Sequence, residues 1–114
     1  MKKITSHRIA QLLRSLSDQE LANIKIEDIA TRLNWEPVCM SRIFKAQIGI
    51  TLRDHIEAER MCRALSLLKA NKVLDVSKQL GYCRKDYFSS IFRKRFGCSP
   101  SHFAKALRRV EEEL

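Results

Sequence analysis

Two short segments of the sequence place polar and basic side chains at helical spacing beside an apolar stripe. In the first segment the outward side chains are Val38, Ser41, Arg42 and Lys45. An arginine fork can bridge O6 and N7 of guanine, a serine hydroxyl can donate or accept, and a valine can contact a thymine methyl group. A lysine one turn further along is suited to a backbone phosphate. These residue types predict a helix that contacts bases in the DNA major groove.

The second segment carries more charge and shorter polar side chains. Its outward and flanking residues are Arg84, Lys85, Asp86, Ser89, Ser90, Arg93 and Lys94. Basic residues at helix ends normally contact phosphates, which carry no sequence information. Asp86 can accept a hydrogen bond from cytosine N4, but we favour a structural role for it, as a helix N-cap or as the partner of a neighbouring arginine. The second segment is therefore predicted to hold mainly the DNA backbone.

Both segments belong to a sequence that repeats itself. The copies cover residues 26–49 and 73–97, and each combines a short amphipathic helix, a tight turn and a second helix that ends at a glycine. The offset is 47 residues up to the aromatic residue of the turn and 48 residues after it. The turn aromatics, Trp35 and Tyr82, are expected to fill the core. This order is that of a helix-turn-helix unit, and two units predict contacts with two successive major grooves.

Hydrophobic periodicity predicts an all-α fold of about seven helices and no strand. The first helix is expected at about Ser6–Ser17. One domain is predicted over residues 1–114, with a first helix-turn-helix subdomain at about 6–50, a linker helix at about 52–70 and a second subdomain at about 72–109. At ~1.5 Å per residue the linker helix is ~28 Å long. That length suits a spacer between recognition helices ~34 Å apart.

Residues that favour helix ends predict the helix boundaries. Gly49 and Gly97 are expected to end the second helix of each copy, because glycine adopts a positive φ without strain. Thr51 and Ser99 are expected to N-cap the helices that follow.

The net charge of +9 is confined to one part of the chain. Residues 69–109 hold 11 basic side chains against two acidic ones, so the other residues sum to zero. A one-sided basic surface is typical of proteins that bind a polyanion.

Other chemistries find little support in the sequence. The four cysteines stand 15 to 23 residues apart without a C-x-x-C pair, and the three histidines are scattered. We therefore predict reduced thiols, no metal site and no cofactor. No stretch of ~18 apolar residues is present, so no membrane contact is predicted. His55 lies beside Asp54, but adjacent helical residues point in different directions, and no glycine-rich phosphate loop occurs. The sequence does not predict an enzyme.

The chain resembles the DNA-binding domain of the AraC/XylS family of bacterial transcription regulators over about Arg8–Leu107. Its most specific stretch is Gly81-Tyr82-x-x-x-x-Tyr87-Phe88-Ser89-x-x-Phe92-Arg93-Lys94-x-x-Gly97-x-Ser99-Pro100-x-x-Phe103. Further similar stretches are Ser41-Arg42-x-Phe44-Lys45 and Arg60-x-x-x-Ala64-x-x-Leu67-Leu68. The resemblance implies seven helices, two helix-turn-helix units joined by a linker helix, and promoter DNA as the target.

The resemblance also assigns positions that contact bases. These map onto Val38, Ser41 and Arg42, and onto Lys85, Asp86, Ser89 and Ser90. The chain departs from the family pattern in three places. Ser90 stands where a long polar or basic residue is common, and Ala104 replaces a common arginine. Asn34 replaces a frequent glycine of the first turn, and the resemblance implies a positive φ there, which asparagine tolerates best after glycine.

From these observations we expect a sequence-specific transcription regulator that acts as an activator and contacts RNA polymerase. We expect the protein in the bacterial cytoplasm, and at the nucleoid when it is bound to DNA. The family usually carries a separate sensor or dimerisation domain, so the chain is either a stand-alone regulator or the output domain of a longer protein. The alternative is a non-specific architectural protein that binds DNA or RNA through the same positive field. Such a protein has no use for the neutral set Val38, Ser41 and Ser89.

Overall fold

The computed structural model describes the backbone of residues 2–113 and the side chains of residues 6–113. Over this range the fold is all-α, as predicted, and has eight helices. These are α1 (Lys2–Ser15), α2 (Asp18–Asn23), α3 (Ile26–Leu33), α4 (Pro37–Ile48), α5 (Leu52–Leu67), α6 (Val73–Gln79), α7 (Lys85–Phe96) and α8 (Pro100–Glu113). The chain forms two compact units, Met1–Arg60 and Met61–Leu114, and α5 contributes to both. The terminal residues of the predicted domain, Met1 and Leu114, lie outside the described range.

The helix missing from the sequence prediction is α2. The sequence predicts that the first helix extends to Ser17, but α1 ends at Ser15. Ser17 instead starts α2 through a capping box: its hydroxyl accepts from the Glu20 N–H at 3.1 Å, and the Glu20 carboxylate accepts from the Ser17 N–H at 3.1 Å. This reciprocal pair satisfies two backbone donors that a helix start leaves open, so a six-residue helix forms where a loop is expected.

The first unit has an aliphatic core around α4. The buried face of α4 consists of Met40 and Phe44, and the Phe44 ring meets the His55 ring of α5 edge-on at 5.2 Å between centroids. Helix α1 packs against α4, and the buried Ser6 hydroxyl donates to the Gln47 side chain. Buried apolar area and this polar contact fix the rotation of α4 about its axis.

An arginine ties α2 to the rest of the first unit. The Arg60 guanidinium of α5 donates to the Leu21 carbonyl from Nε at 3.2 Å and from Nη2 at 3.0 Å, and to the Ala22 carbonyl at 3.3 Å. The last carbonyls of a helix have no intrahelical partner. Arg60 therefore completes the C-terminal end of α2 and also places positive charge where the helix dipole favours it.

The second unit has an aromatic core around α7. The Phe92 ring lies 6.1 Å from that of Phe88, 4.7 Å from that of Phe96 and 5.8 Å from that of Phe103, measured between centroids. The Tyr82 ring lies 5.4 Å from that of Phe88. Tilted and edge-on pairs at these distances are the favourable arrangements of aromatic rings. They hold α7 against α6 and α8.

The two turn aromatics differ in burial, and the prediction that Trp35 fills the core is wrong. Tyr82 is buried, with 7% of its surface exposed, whereas Trp35 has 36% exposed. Tyr82 packs on rings that follow it in α7. At the equivalent positions of α4 the first unit has Cys39 and Met40, which offer no ring. Trp35 therefore lies at the edge of the first unit.

The predicted left-handed residues and the two predicted hydroxyl caps are confirmed. Asn34, Gly49 and Gly97 have φ angles of 58°, 93° and 82°, in the left-handed region. The hydroxyls of Thr51 and Ser99 accept from the third backbone N–H of α5 and α8, at 3.1 and 3.2 Å. Asn34 sets the direction in which the chain enters α4, the second helix of the first helix-turn-helix unit. The other residues set the direction in which the chain leaves α4 and α7, the two recognition helices.

Helix α5 is shorter than the predicted linker helix. It ends at Leu67, whereas the hydrophobic pattern extends the helix to Ala70. The N–H groups of Lys69 and Ala70 bond three residues back, at 3.3 Å, and the Asn71 amide also donates to the Leu67 carbonyl at 2.9 Å. The tighter turn satisfies the last carbonyls of the helix and stops its extension.

Candidate nucleic-acid interface

Helix α4 presents the predicted contact residues on its outer side. Because Met40 and Phe44 are fully buried, the opposite side of α4 faces away from the core. Arg42 and Lys45 are exposed and Ser41 is half-buried. Val38 leaves 58% of its surface exposed, and an isolated valine is available there for contact with a methyl group.

The start of α4 holds a carboxylate. Glu36 is the N-cap: its side chain accepts from the Val38 N–H at 3.1 Å and from the Cys39 N–H at 2.7 Å, while Pro37 takes the first helical position. The backbone hydrogen bonds from Cys39 and Val38 lower the pKa of the Glu36 carboxyl, and the positive charge of Arg42 lowers it further. The carboxylate therefore lies at the positive end of the helix dipole and close to the main candidate for base contact.

Sequence reasoning overlooks Glu36. Preferred N-cap residues are Asn, Asp, Ser and Thr, and glutamate is not among them. The usable signal is the placement of a carboxylate directly before a helix that starts with proline, since the proline N–H is absent and the next two N–H groups are open.

Helix α7 presents the second predicted set. Phe88 and Phe92 are fully buried and fix its rotation. The side chains on its outer side and at its start are exposed, with the exception of Ser89, which is half-buried. The exposed ones are Arg84, Lys85, Asp86, Ser90, Arg93 and Lys94.

The start of α7 differs from that of α4. It shows that the role favoured for Asp86, as a helix N-cap or as the partner of a neighbouring arginine, is wrong. The N-cap is Arg84, whose side chain makes no capping hydrogen bond. Asp86 lies in the first turn, past the cap position. Within the described part of the chain its carboxylate has neither a hydrogen bond nor an ion pair. Asp86 is exposed to solvent instead.

Each unit has a groove between its recognition helix and the start of the following helix. The first groove is lined by Ser41, Arg42, Lys45, Ala46 and Thr51, together with Ile26, Leu52 and Arg53. The second is lined by Ser89, Ser90, Arg93, Lys94 and Ser99, together with Asp86. The first five residues of one groove correspond to the first five of the other at the 48-residue offset of the repeat. The structure thus brings together eight predicted contact residues, three in the first groove and five in the second.

The two grooves differ in chemistry. In the first groove Ile26, Ala46 and Leu52 provide an apolar floor beside Arg42. Such a surface can contact a thymine methyl group while the arginine bonds to a base edge. In the second groove three serine hydroxyls stand with Arg93 and Lys94. Hydroxyl and cationic donors around one space are suited to phosphate oxygens.

The charge of the two units differs in the same direction. The first unit has ten basic and eight acidic residues, a net charge of +2. The second has twelve basic and five acidic residues, a net charge of +7. The sequence-independent attraction to a polyanion therefore originates mainly in the second unit.

The described residues show little sign of other chemistry. Among residues 2–113 no three His, Cys, Asp or Glu side chains lie close enough together to hold a metal ion. All four cysteines are free thiols. A helix with the length and apolar composition needed to cross a bilayer is also absent from this range.

Comparison with known proteins decides the family. A family model described as a helix-turn-helix domain matches residues 29–106. The transcriptional activator RhaR of Mannheimia succiniciproducens is 38% identical over 64 residues, which cover 54% of this chain and 23% of RhaR. The chain belongs to the AraC/XylS family of transcription regulators. The arabinose operon regulatory protein of Escherichia coli, at 29% identity over 100 residues, covers 85% of this AraC/XylS domain, and the match spans 34% of the E. coli protein.

A solved structure agrees with the AraC/XylS assignment. The C-terminal domain of AraT, a response regulator from Geobacillus stearothermophilus, superposes with a TM-score of 0.77 at 28% identity, covering 90% of this chain and 84% of the AraT chain. The chain spans between 23% and 38% of the length of the curated relatives it matches. Those relatives are named as transcriptional activators or as an operon regulatory protein.

Proposed function

We propose that this AraC/XylS domain is a sequence-specific transcription activator that contacts two successive major grooves of double-stranded promoter DNA. The observation that supports the proposal most directly is the pair of equivalent grooves. Each lies beside the outer side of a recognition helix, and together they collect the polar and basic residues at matching positions of the repeat. Four of the five matching positions are polar in both copies, which is expected where both copies meet the same kind of ligand.

In the proposal α4 contacts bases. Arg42 bonds to O6 and N7 of guanine, Ser41 donates to or accepts from a base edge, and Val38 contacts a thymine methyl group. Lys45 bonds to a phosphate and orients the helix. The apolar floor of the first groove supports this role because it excludes water around the base contact.

Helix α7 is proposed to hold mainly the DNA backbone. Arg84, Lys85, Arg93 and Lys94 supply cations to phosphates, and the hydroxyls of Ser89 and Ser90 add hydrogen bonds. Asp86, which is exposed to solvent, is proposed to accept from cytosine N4. The second unit thereby contributes most of the affinity and little of the specificity.

The relatives support the regulatory part of the proposal. RhaR is named a transcriptional activator. The DNA-binding domain of the transcriptional factor AdpA, solved in complex with a target DNA, shares the fold with a TM-score of 0.76 at 20% identity. We further propose that the protein contacts RNA polymerase and acts on nucleoid DNA in the cytoplasm without catalysing a reaction. We also propose that it works together with a sensor or dimerisation domain outside residues 1–114.

Selection from randomised duplex DNA at physiological salt tests the proposed function. The protein as it exists is incubated with a library of duplexes, and the bound sequences are amplified and read. We expect enrichment of two short elements spaced by about one helical turn, the second weaker than the first.

The other outcomes separate the alternatives. One enriched element would restrict base contact to a single unit. Binding without enrichment would refute sequence specificity and support the alternative, an architectural protein that binds through its positive charge. Its affinity would depend steeply on salt and would be the same for all sequences.

A further inference from the structure

The starts of the two recognition helices carry opposite charges at equivalent places. Residue 36 and residue 84 are separated by the 48-residue offset of the repeat and are the N-caps of α4 and α7. Glu36 is anionic and occupies two backbone N–H groups, whereas Arg84 is cationic and occupies none with its side chain. This difference is specific to one position and does not follow from the overall charge of the units.

The Glu36 carboxylate has two effects at the start of α4: it repels a phosphate, and it attracts the side chain of Arg42. The open N–H groups and the dipole of a helix start attract a phosphate, but at α4 the Glu36 carboxylate already holds the N–H groups of Val38 and Cys39, at 3.1 and 2.7 Å. A second anion there meets repulsion and finds fewer donors. Glu36 also attracts the Arg42 guanidinium, which would otherwise be free to bond to any phosphate.

We propose that Glu36 is a specificity-determining residue, which disfavours phosphate contact at the start of α4 and so makes binding by the first unit depend on base contact. The inference rests on the proposed function, since it assumes that α4 meets DNA. Specificity can arise from repulsion in the wrong complex as well as from attraction in the right one. Glu36 supplies the repulsive part, and Arg42 supplies the attractive part.

The inference is tested with a matched pair of variants, Glu36→Asp and Glu36→Asn. Aspartate and asparagine are nearly isosteric and both are good N-caps, so the pair differs mainly in charge. Glu36→Ala removes the cap and the charge together, so its thermal unfolding compared with that of Glu36→Asn, which lacks only the charge, shows what loss of the cap does. Glu112→Gln, at an exposed position in the last turn of α8, controls for a simple change of net charge.

Binding is measured by fluorescence anisotropy on two probes at several salt concentrations. One probe is a 25-base-pair duplex pool of random sequence, and the other is the duplex obtained by selection with the parent protein. We expect Glu36→Asn to bind the random pool about two- to fivefold more tightly than Glu36→Asp, because a charge at a helix terminus contributes on that scale. The logarithmic salt slope on the random pool should steepen by about 0.9, which corresponds to one added phosphate contact.

The ratio of the two affinities decides the specificity claim. Affinity for the selected duplex should change less than affinity for the random pool, so the ratio should fall by about the same two- to fivefold factor. Equal binding and equal slopes for the aspartate and asparagine variants would overturn the inference. Equal gains on both probes, or the same gain in Glu112→Gln, would also overturn it, because the charge of residue 36 would then not act on discrimination.

This test and the test of the proposed function fail in different ways. If the parent protein binds neither probe, the proposed function fails and the inference falls with it. If the parent binds the selected duplex better than the random pool and the Glu36 variants keep the parental ratio, the proposed function stands and only the inference is refuted.

Discussion

Residue 42 of the first unit and residue 90 of the second hold the same place in the repeat, and both line a groove beside a recognition helix. The first is an arginine, whose planar guanidinium can donate two parallel hydrogen bonds to one base, and the second is a serine with one hydroxyl. At the helix starts the positive charge is in the second unit instead, because Arg84 stands there where the first unit has the acidic Glu36. One backbone scaffold thus carries a set suited to base edges in the first unit and a set suited to phosphates in the second.

The interiors of the two units differ as well. The first is closed by aliphatic side chains and Phe44, and the second by a row of tilted aromatic rings around Phe92. Both solutions fix the rotation of the recognition helix, because α4 buries Phe44 completely and α7 buries both Phe88 and Phe92. The comparison shows that the position of the outward side chains depends on the depth of burial and not on the chemistry of the core.

The largest expected effect comes from removing one of these phenylalanines. Phe44→Ala and Phe92→Ala should each lower the free energy of unfolding by about 3–5 kcal/mol, since the loss of a buried ring leaves a cavity. Hydrogen exchange followed by NMR resolves the amides of each unit. We expect each variant to lose protection first in its own unit, and equal losses throughout the chain would show that the two cores unfold as one.

The next effect concerns base contact. Arg42→Ala should weaken binding to the selected duplex by about 1–3 kcal/mol and relax the preference at one base pair. Ser90→Ala, the matched change in the second unit, should cost less, because a single hydroxyl makes no bidentate contact. Titration against duplexes with single base-pair changes measures both. Selectivity in Arg42→Ala that equals the parent's would show that another residue contacts the base.

A smaller and uniform effect is expected at Lys94. Lys94→Ala should weaken binding evenly across sequences and reduce the salt slope by about one. Lys69→Ala, which removes an exposed lysine from the turn after α5, removes the same charge without altering the groove. A loss at Lys94 that depends on the sequence of the duplex would contradict its assignment to phosphate.

The smallest effect is a pH dependence in the first unit. Backbone hydrogen bonding by Ser17 lowers the pKa of Glu20 below its ordinary value of 4.5, and the hydrogen bonds of Cys39 and Val38 do the same for Glu36. Because protonation is then easier in the unfolded chain, both carboxylates stabilise the fold above pH 4.5, and this contribution is lost as the pH falls through the folded pKa. The difference in Tm between the parent and Glu20→Gln should be constant at neutral pH and shrink below about pH 4.5. A difference that stays constant down to pH 3 would contradict the role of the charge.

The parts of the fold that depend on local backbone preference could be predicted from the sequence. The left-handed residues Asn34, Gly49 and Gly97 and the long helices are of this kind, because a few neighbouring residues decide them. Helix α2 is too short for a periodic pattern, and only its capping box, Ser17 with Glu20, marks it.

Features that depend on distant neighbours could not be predicted. The burial of a turn aromatic is decided by rings elsewhere in the unit, so the prediction fails for Trp35 and succeeds for Tyr82. The side-chain caps of α4 and α7 could not be predicted either, because residue type alone does not decide which side chain accepts from the first open N–H groups of a helix. Glu36 takes that role without belonging to the usual cap residues, and Asp86 lacks it although its type allows it.

The most direct test of the division between the two units is to exchange their equivalent residues. In the double variant Arg42→Ser and Ser90→Arg the charge and composition of the chain are unchanged, and only the place of the arginine differs. Selection from randomised duplex DNA is repeated with this variant. We predict that the base preference at the first element weakens and that a guanine preference appears at the second. Enrichment of the same two elements as the parent, with the same base preferences, would contradict the account.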